Sequence, residues 1–307
     1  MLDEESQALL KKMASSGWQP VDKVGVVASR RRKAEGATPP EELPVMEVVE
    51  DHLIGEPGAE FQMRMVSQSR SPTGVVVYLH GGGWTIGGIG DSELVARSLA
   101  SETGCAVLIV GYRLAPEHRY PAALDDAWSA VRWASDVAAA RGVPLVLFGE
   151  SAGGNLAAVV AQQALELGGP QLELQVLVYP VLDSDFDQIS YRDPANQLLL
   201  SRESSMWFWD QYAPAGVVDR SDPSVAPLRR AALQGIAPAV ILTAEHDVLR
   251  DEGKAYADRL AEVGSLVGYR EFSGQMHGFF TMVSTLPASR TARHFVTDLI
   301  KRHLGGP

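Results

Sequence analysis

Short apolar segments alternate with segments of helical periodicity through most of this chain, beginning near residue 74. The run GVVVYL at 74–79 is nearly continuous, which is typical of a strand covered on both faces. Such alternation predicts an α/β fold with a mostly parallel sheet flanked by helices. The predicted strands are 74–79, 105–111, 144–149, 174–180, 238–244 and 266–272, and the predicted helices are 91–103, 122–141, 152–167, 252–264 and 287–303.

Three stretches lie outside the alternation. Residues 45–66 alternate in polarity and predict two antiparallel strands. A stripe of Leu9, Leu10 and Met13 predicts a helix near the N-terminus, but the valines that follow are less regularly spaced around Gly25. Residues 183–235 contain the aromatic cluster MWFWDQY at 206–212, and we interpret them as an insertion over the carboxyl edge of the sheet.

These changes of pattern divide the chain into four parts. We expect an N-terminal cap segment at 1–44, a core at 45–182, a cap insertion at 183–220 and the rest of the core at 221–307. The two cap parts together predict a lid and not an independently folding domain. The basic run RRRK at 30–33 is interpreted as a solvated helix face, because a nucleic-acid patch does not suit so acidic a chain.

Composition excludes several classes of partner. The net charge of −11 over 307 residues argues against binding nucleic acid or an anionic membrane surface. No apolar run approaches the ~20 residues that span a bilayer. The acidic N-terminus lacks the apolar segment of a signal peptide, so we expect a cytoplasmic protein. Cys105 is the single cysteine, lies in an apolar run and predicts a buried small hydrophobe.

A serine lies where a predicted strand turns into a predicted helix. Ser151 stands in the sequence GESAGGN at 149–155, with glycine two residues to either side. Flanking glycines let the two elements approach closely, so the serine oxygen is exposed at the carboxyl edge of the sheet. The motif alone is common by chance, and a helix-capping serine is the alternative. The pattern favours Ser151 as a nucleophile.

Three consecutive glycines follow the strand at 74–79, in the sequence HGGGW at 80–84. Their backbone N–H groups are free of side-chain clashes and predict an oxyanion hole formed by Gly81, Gly82 and Ala152. A flexible loop is the alternative, and a nucleotide site is poorly supported because no phosphate-binding glycine motif is present. His80 is expected to brace the loop by a hydrogen bond.

A serine hydroxyl needs a base, and the base needs a carboxylate. Among the seven histidines, His277 lies in a loop after the last predicted strand, where a base can approach Ser151. A loop histidine held by its neighbours is the alternative. Asp247 follows the strand at 238–244 and is the favoured carboxylate, although it is also placed to cap the next helix. The other candidates for the carboxylate are Glu245, Asp251 and Asp183.

Other residues have structural interpretations of comparable weight. Trp84, Phe208 and Trp209 are candidates for the wall of a substrate pocket, with core packing nearly as plausible for each. A second group, Arg113, Glu117 and Asp126, is expected to form a structural ion-pair network, since arginine suits buried bidentate pairing.

Taken together, several motifs make the chain resemble the hormone-sensitive-lipase-like esterases, the bacterial family IV lipolytic enzymes. The resemblance implies an α/β-hydrolase fold with a helical cap, a carboxylesterase activity, the triad of Ser151, Asp247 and His277, and in many members a homodimer. Glu150 departs from many relatives, which have Asp or Thr before the serine. The matching motifs are HGGGW at 80–84, GYRLAPEH at 111–118, GESAGGN at 149–155, DPSVAPL at 222–228, DVLRDEG at 247–253 and MHGF at 276–279.

These observations predict a serine carboxylesterase that hydrolyses small esters with short to medium acyl chains through an acyl-enzyme intermediate. No metal or cofactor is required by this chemistry. Three alternatives stay open: a non-catalytic small-ligand receptor on the same fold, an amidase, and a lipase for longer chains. A receptor has no need of the base and the acid, so the presence of His277 and Asp247 speaks against it.

Overall fold

One sheet of eight strands organises the part of the chain that the computed structural model describes, residues 1–305. The strands are β1 (Val48–Ile54), β2 (Phe61–Ser67), β3 (Val75–Leu79), β4 (Ala106–Gly111), β5 (Leu145–Glu150), β6 (Leu174–Val178), β7 (Ala239–His246) and β8 (Leu266–Met276). Their order in the sheet is β1-β2-β4-β3-β5-β6-β7-β8. β2 runs antiparallel to β1 and β4, and all other neighbours are parallel. The prediction of a mostly parallel sheet is confirmed.

The central strands are buried on both faces, which explains their continuous apolar sequence. In β3, Val75, Val77 and Leu79 pack into one apolar cluster, whereas Val76 and Tyr78 pack into another on the opposite side. This division follows from the two-residue period of a strand. Helices therefore cover the sheet on both faces.

Helices α4, α5 and α8 contribute to the first cluster, and α3 and α9 contribute to the second. Within residues 1–305, no helix combines the length and apolarity that crossing a membrane requires. The helices are α1 (Glu4–Ser15), α2 (Val21–Glu35), α3 (Ile89–Thr103), α4 (Ala122–Arg141), α5 (Ala152–Leu167), α6 (Ile189–Arg192), α7 (Arg202–Tyr212), α8 (Arg250–Glu262) and α9 (Pro287–His303).

Three predicted helices, at 122–141, 152–167 and 287–303, have the same bounds in the structure. β8 differs, because it continues four residues beyond the predicted end at 272, to Met276. The continuation pairs with β7 across an irregularity in the register between Ala244 and His246. A strand that bends in this way carries the loop after Met276 back to the carboxyl edge of the sheet.

Helices α1, α2, α6 and α7, here called the cap helices, contain the segments that the sequence placed outside the sheet. α2 consists of two helical segments that meet in a kink at Gly25, whose φ of +77° and ψ of 179° are not helical, and this break accounts for its irregular valines. Hydrogen bonds of two side chains, Asp22 and Arg30, hold α2 against the rest of the protein. The Ser204 hydroxyl in α7 donates to Asp22 at 2.6 Å, and the Arg30 guanidinium donates to the carbonyls of Thr85 and Ala115 at 2.9 and 2.8 Å. Helix α2 therefore lies beside α7 and beside Thr85, just after the three glycines.

Candidate active site

Ser151 occupies a strained turn between β5 and α5. Its φ and ψ are 56° and −119°, a region that residues with a side chain rarely adopt. Both flanking glycines are required by close approach. A Cβ at Gly149 would collide with the carbonyl of Gly153, and a Cβ at Gly153 would collide with the carbonyl of Leu79. The serine is therefore held at the edge of the sheet by backbone contacts that admit only glycine at these two positions.

The imidazole of His277 bridges Ser151 and Asp247. Its Nε2 lies 2.9 Å from the Ser151 hydroxyl oxygen, and its Nδ1 lies 2.7 Å from Oδ2 of Asp247. His277 directly follows β8, and Asp247 directly follows β7. The aromatic ring of Tyr179 packs against the imidazole with 4.7 Å between centroids. This geometry suits transfer of the serine proton to Nε2 while the carboxylate holds the proton on Nδ1.

Asp247 is fully buried, and its second oxygen accepts a 3.0 Å hydrogen bond from the N–H of Leu249. Its carboxylate is therefore fixed by the start of the following helix as well as by the imidazole. The other three carboxylates considered from sequence have partners elsewhere. Glu245 accepts from Gly274 N–H, Asp251 accepts from Ser190 N–H, and Asp183 pairs with Arg229.

The glycine loop differs from the expectation at Gly81. Its N–H donates to Oε1 of Glu150 at 2.6 Å, so it is not free to bind an oxyanion. In residues 1–305, the N–H groups of Gly82, Gly83 and Ala152 have no acceptor. The structure therefore corrects the assignment of Gly81 and leaves Gly82, Gly83 and Ala152 as available donors.

The sequence alone does not show which of the three consecutive glycines have a free N–H, because this depends on the contact with Glu150. That side chain is buried, and burial raises its pKa, while the charge of Lys33 and the hydrogen bond from Gly81 oppose the shift. Burial thus favours the protonated form of the acid. Glu150 is a positioning residue for the loop that the sequence analysis left without a role.

His80 braces the loop, as its position predicted. Its Nδ1–H donates to the carbonyl of Gly81 at 2.7 Å, and its ring stacks on Tyr112 with 4.2 Å between centroids. Burial lowers the pKa of His80 to about 4, so the imidazole is neutral near pH 7. A neutral ring with this contact does not compete with His277 as a base for Ser151.

A cavity of about 260 Å³ opens above Ser151 and His277. The three aromatic residues predicted for its wall, Trp84, Phe208 and Trp209, all line it. Trp84 is at the same time a packing residue, since it lies 4.3 Å from Tyr212 and 5.0 Å from Trp209 between ring centroids. Further lining residues, which the sequence analysis did not assign to the pocket, are Met13, Trp18, Val21, Arg32, Lys33, Val181, Tyr191, Leu199, Leu200, Leu249 and Met282.

The expected ion-pair network is divided into two. Arg113 forms a bidentate pair with Asp126, with its Nη2 and Nε 2.7 and 2.9 Å from the carboxylate oxygens. Glu117 pairs with Arg30 of α2 instead, at 2.9 and 2.7 Å. The expectation was therefore wrong for Glu117, because its partner comes from α2.

Comparison with known proteins places these features in context. The sequence profile of the alpha/beta hydrolase fold family matches residues 76–281. The carboxylesterase NlhH of Mycobacterium tuberculosis H37Rv is 38% identical over 292 residues, covering 91% of this chain and 90% of the relative. The ethyl acetate hydrolase of Pseudomonas putida is 37% identical over 235 residues, covering 75% and 73%.

The fold is also similar to those of solved alpha/beta hydrolase structures. A mutant of LAE6, an alpha/beta hydrolase enzyme from the metagenome of Lake Arreo in Spain, superimposes with a TM-score of 0.90 and 34% identity, covering 99% of both chains. A thermostable esterase from Pseudomonas putida has a TM-score of 0.90 and 31% identity, covering 99% of this chain and 98% of that one.

Proposed function

Because the chain belongs to the alpha/beta hydrolase fold family, in its hormone-sensitive-lipase-like branch, we propose that it hydrolyses short- to medium-chain acyl esters through Ser151, His277 and Asp247. The chain is a carboxylic ester hydrolase, as its relatives are. The proposal concerns the residues that act, the route of the reaction and the size of the substrate. The contact of His277 with both Ser151 and Asp247 is the observation that carries it.

The reaction follows from this geometry. His277 Nε2 takes the proton of Ser151 while the serine oxygen forms a bond to the ester carbonyl carbon. Collapse of the tetrahedral intermediate breaks the bond to the alcohol, which leaves with the proton from His277. Water, deprotonated by the same imidazole, then attacks the acyl-serine and releases the acid. Asp247 stabilises the imidazolium that forms in both halves of the reaction.

The negative charge of the tetrahedral oxygen needs donors that are already in place. Gly82, Gly83 and Ala152 supply three N–H groups without another acceptor among residues 1–305. The first turn of α5 packs against the start of the glycine loop, since a Cβ at Gly153 would also contact the His80 carbonyl. The N-terminus of α5 adds a favourable dipole for an anion.

The cavity supports a preference for small esters. Its volume of about 260 Å³ lies slightly below the usual range for drug-sized ligands, roughly 300–1,000 Å³. Trp84 and Trp209 are almost completely buried, so the aromatic wall is well packed and not easily moved aside. Long acyl chains therefore have less room than short ones.

Two measurements test the proposal. Ser151→Ala is expected to abolish hydrolysis of p-nitrophenyl butyrate while thermal unfolding stays close to that of the wild type. Full activity of this variant would remove Ser151 from the mechanism. Across p-nitrophenyl esters of increasing chain length, kcat/KM is expected to fall beyond medium chains, and a maximum with a long-chain ester would favour a lipase instead.

The cap, the oligomeric state and the cellular location are also proposals. We propose that 1–44 and 183–220 act together as a cap, supported by the contact between Asp22 and Ser204. A homodimer is supported by the family resemblance, and analytical ultracentrifugation tests it. A cytoplasmic location is supported by the lone, buried Cys105, which has no partner for an internal disulfide, and cell fractionation tests it.

A further inference from the structure

Helix α2 places two cationic side chains, Arg32 and Lys33, at the wall of the cavity above Ser151. Arg32 is partly buried, and its guanidinium carbon lies 5.1 Å from the centroid of the Trp18 ring. Its Nη1 donates to the carbonyl of Gln19 at 2.7 Å. These contacts hold the guanidinium in place, which lowers the entropy lost when it binds a ligand.

The four consecutive basic residues of α2, at 30–33, differ in whether they have an acidic partner. Arg30 is neutralised by Glu117 at 2.7 Å, and Arg31 faces an acidic residue one turn further along the helix at 3.7 Å. In contrast, no carboxylate of residues 1–305 lies within ion-pair distance of Arg32 or Lys33. The two cations that line the cavity are therefore the two without an acidic partner in residues 1–305, although Arg31 and Lys33 are exposed, as a solvated helix face predicts.

Glu150 is the one carboxylate among the described residues that line the cavity. It already accepts the N–H of Gly81 at 2.6 Å, and its burial favours the protonated form. The charged side chains that line the cavity are thus mainly positive, although the whole chain carries a net charge of −11. Local positive charge at a cavity in an acidic protein attracts anionic ligands to that point.

We infer that the preferred substrates are esters with a carboxylate at the end distant from the scissile bond. The apolar part would lie against Trp84 and Phe208, and the carboxylate would be bound by Arg32 and Lys33. A guanidinium matches a carboxylate with two parallel hydrogen bonds. This inference rests on the proposed esterase function and names the substrate class of the same site.

The experiment compares esters that differ only in the distant charge. The first pair is the mono-p-nitrophenyl ester of adipic acid and the same compound with its free acid methylated. The second pair moves the charge to the alcohol side: 4-acetoxybenzoate and its methyl ester. For each pair, the ratio of kcat/KM for the anionic ester to that for the capped ester is measured in the wild type and in variants.

Lys33→Gln and Arg32→Gln are each expected to lower that ratio roughly twofold to fivefold for at least one pair of esters, because a partly screened ion pair contributes about this much. The double variant should lower the ratio further. Salt at about 0.5 M should reduce the wild-type ratio in the same direction. Arg31→Gln is the matched control, because this neighbouring arginine is exposed and does not line the cavity, and its ratio should equal that of the wild type.

Lys33→Gln keeps the test decisive if Arg32→Gln disturbs the cap, because the Lys33 side chain makes no hydrogen bond within residues 1–305. Ratios that stay constant in both pairs on removal of either cation would overturn the inference. Hydrolysis of the methylated esters, which lack the distant charge, distinguishes failure of the substrate class from failure of the esterase activity. If the wild type cleaves them and shows no charge effect, the substrate class alone is wrong. If no ester is cleaved, the esterase proposal fails first.

Discussion

The N–H of Gly81 donates a 2.6 Å hydrogen bond to Oε1 of Glu150, so the side chain next to Ser151 in sequence holds the start of the glycine loop. This contact joins β5 and the loop after β3, the two segments that carry the proposed nucleophile and the proposed oxyanion donors. Space at the contact is tight, since a Cβ at Gly81 would collide with the Glu150 carboxyl group. The position of Gly82 and Gly83 therefore depends on Glu150.

We expect Glu150→Ala to lower kcat/KM for p-nitrophenyl butyrate about 5- to 100-fold, because the Gly81 N–H loses its acceptor at a buried site. Glu150→Gln keeps an acceptor oxygen and should retain most of the activity. The loss in the alanine variant should be in kcat more than in KM, since the donors act on the transition state. Wild-type kcat in a folded Glu150→Ala variant would contradict the positioning role.

Gly82→Ala keeps the backbone N–H but should displace it, and it is therefore expected to lower kcat by about 100-fold or more, the usual effect of losing one oxyanion donor. Its φ of +111° disfavours any residue with a Cβ, and that atom would collide with the carbonyl of Ile86. Gly88→Ala is the matched control, because an added Cβ there meets no atom within 4 Å and the backbone is extended. Equal activities for the two variants, measured with p-nitrophenyl butyrate, would exclude a special role for Gly82.

Most of the fold could be predicted from sequence because the strands are buried on both faces. Short continuous apolar runs such as 74–79 are typical of strands in this environment. The length of β8 could not be predicted, because residues 273–275 are polar or glycine and the end of the strand pairs with β7 through an irregular register. Pairing of that kind depends on the partner strand and not on local propensity.

The candidate site was predictable to the extent that its residues follow strands. Ser151, Asp247 and His277 each come directly after a strand, and parallel strands bring such residues to one edge. Contacts between distant segments could not be predicted. The choice between Gly81 and Gly83 depends on Glu150, and the approach of Arg32 to the cavity depends on how α2 packs.

Glu252 provides a test of stability against pH. Its side chain is completely buried in α8, where Oε1 accepts the N–H of Leu182 at 2.7 Å. Within residues 1–305, Oε2 has no hydrogen-bond partner. Burial raises the pKa of Glu252 well above the ordinary value of 4.5, and the nearby charges of Asp183 and Asp247 act in the same direction. The folded protein therefore holds a proton that the unfolded chain loses.

Removal of this acid should change how the free energy of unfolding depends on pH, and the direction of the change can be worked out. Above the unfolded pKa, the folded state binds more protons, so the free energy of unfolding falls as pH rises, by at most about 1.4 kcal/mol per pH unit. Glu252→Gln lacks this dependence, and its stability relative to the wild type should increase from pH 5 to pH 7, as measured by urea unfolding. The exposed Glu271→Gln variant is the control. Parallel profiles for the wild type and Glu252→Gln would show that the acid is ionised in the folded protein.

Asp247→Asn is expected to lower kcat for p-nitrophenyl butyrate by about 10⁴-fold while the cavity keeps its shape. An amide in this position can donate to Nδ1 of His277, which would put the imidazole proton on Nε2 and leave no base facing Ser151. Asp251→Asn provides the comparison, because its carboxylate accepts from Ser190 in α6 and has no contact with the imidazole among residues 1–305. If the two variants lost the same activity, the carboxylate that orients His277 would have to be sought elsewhere.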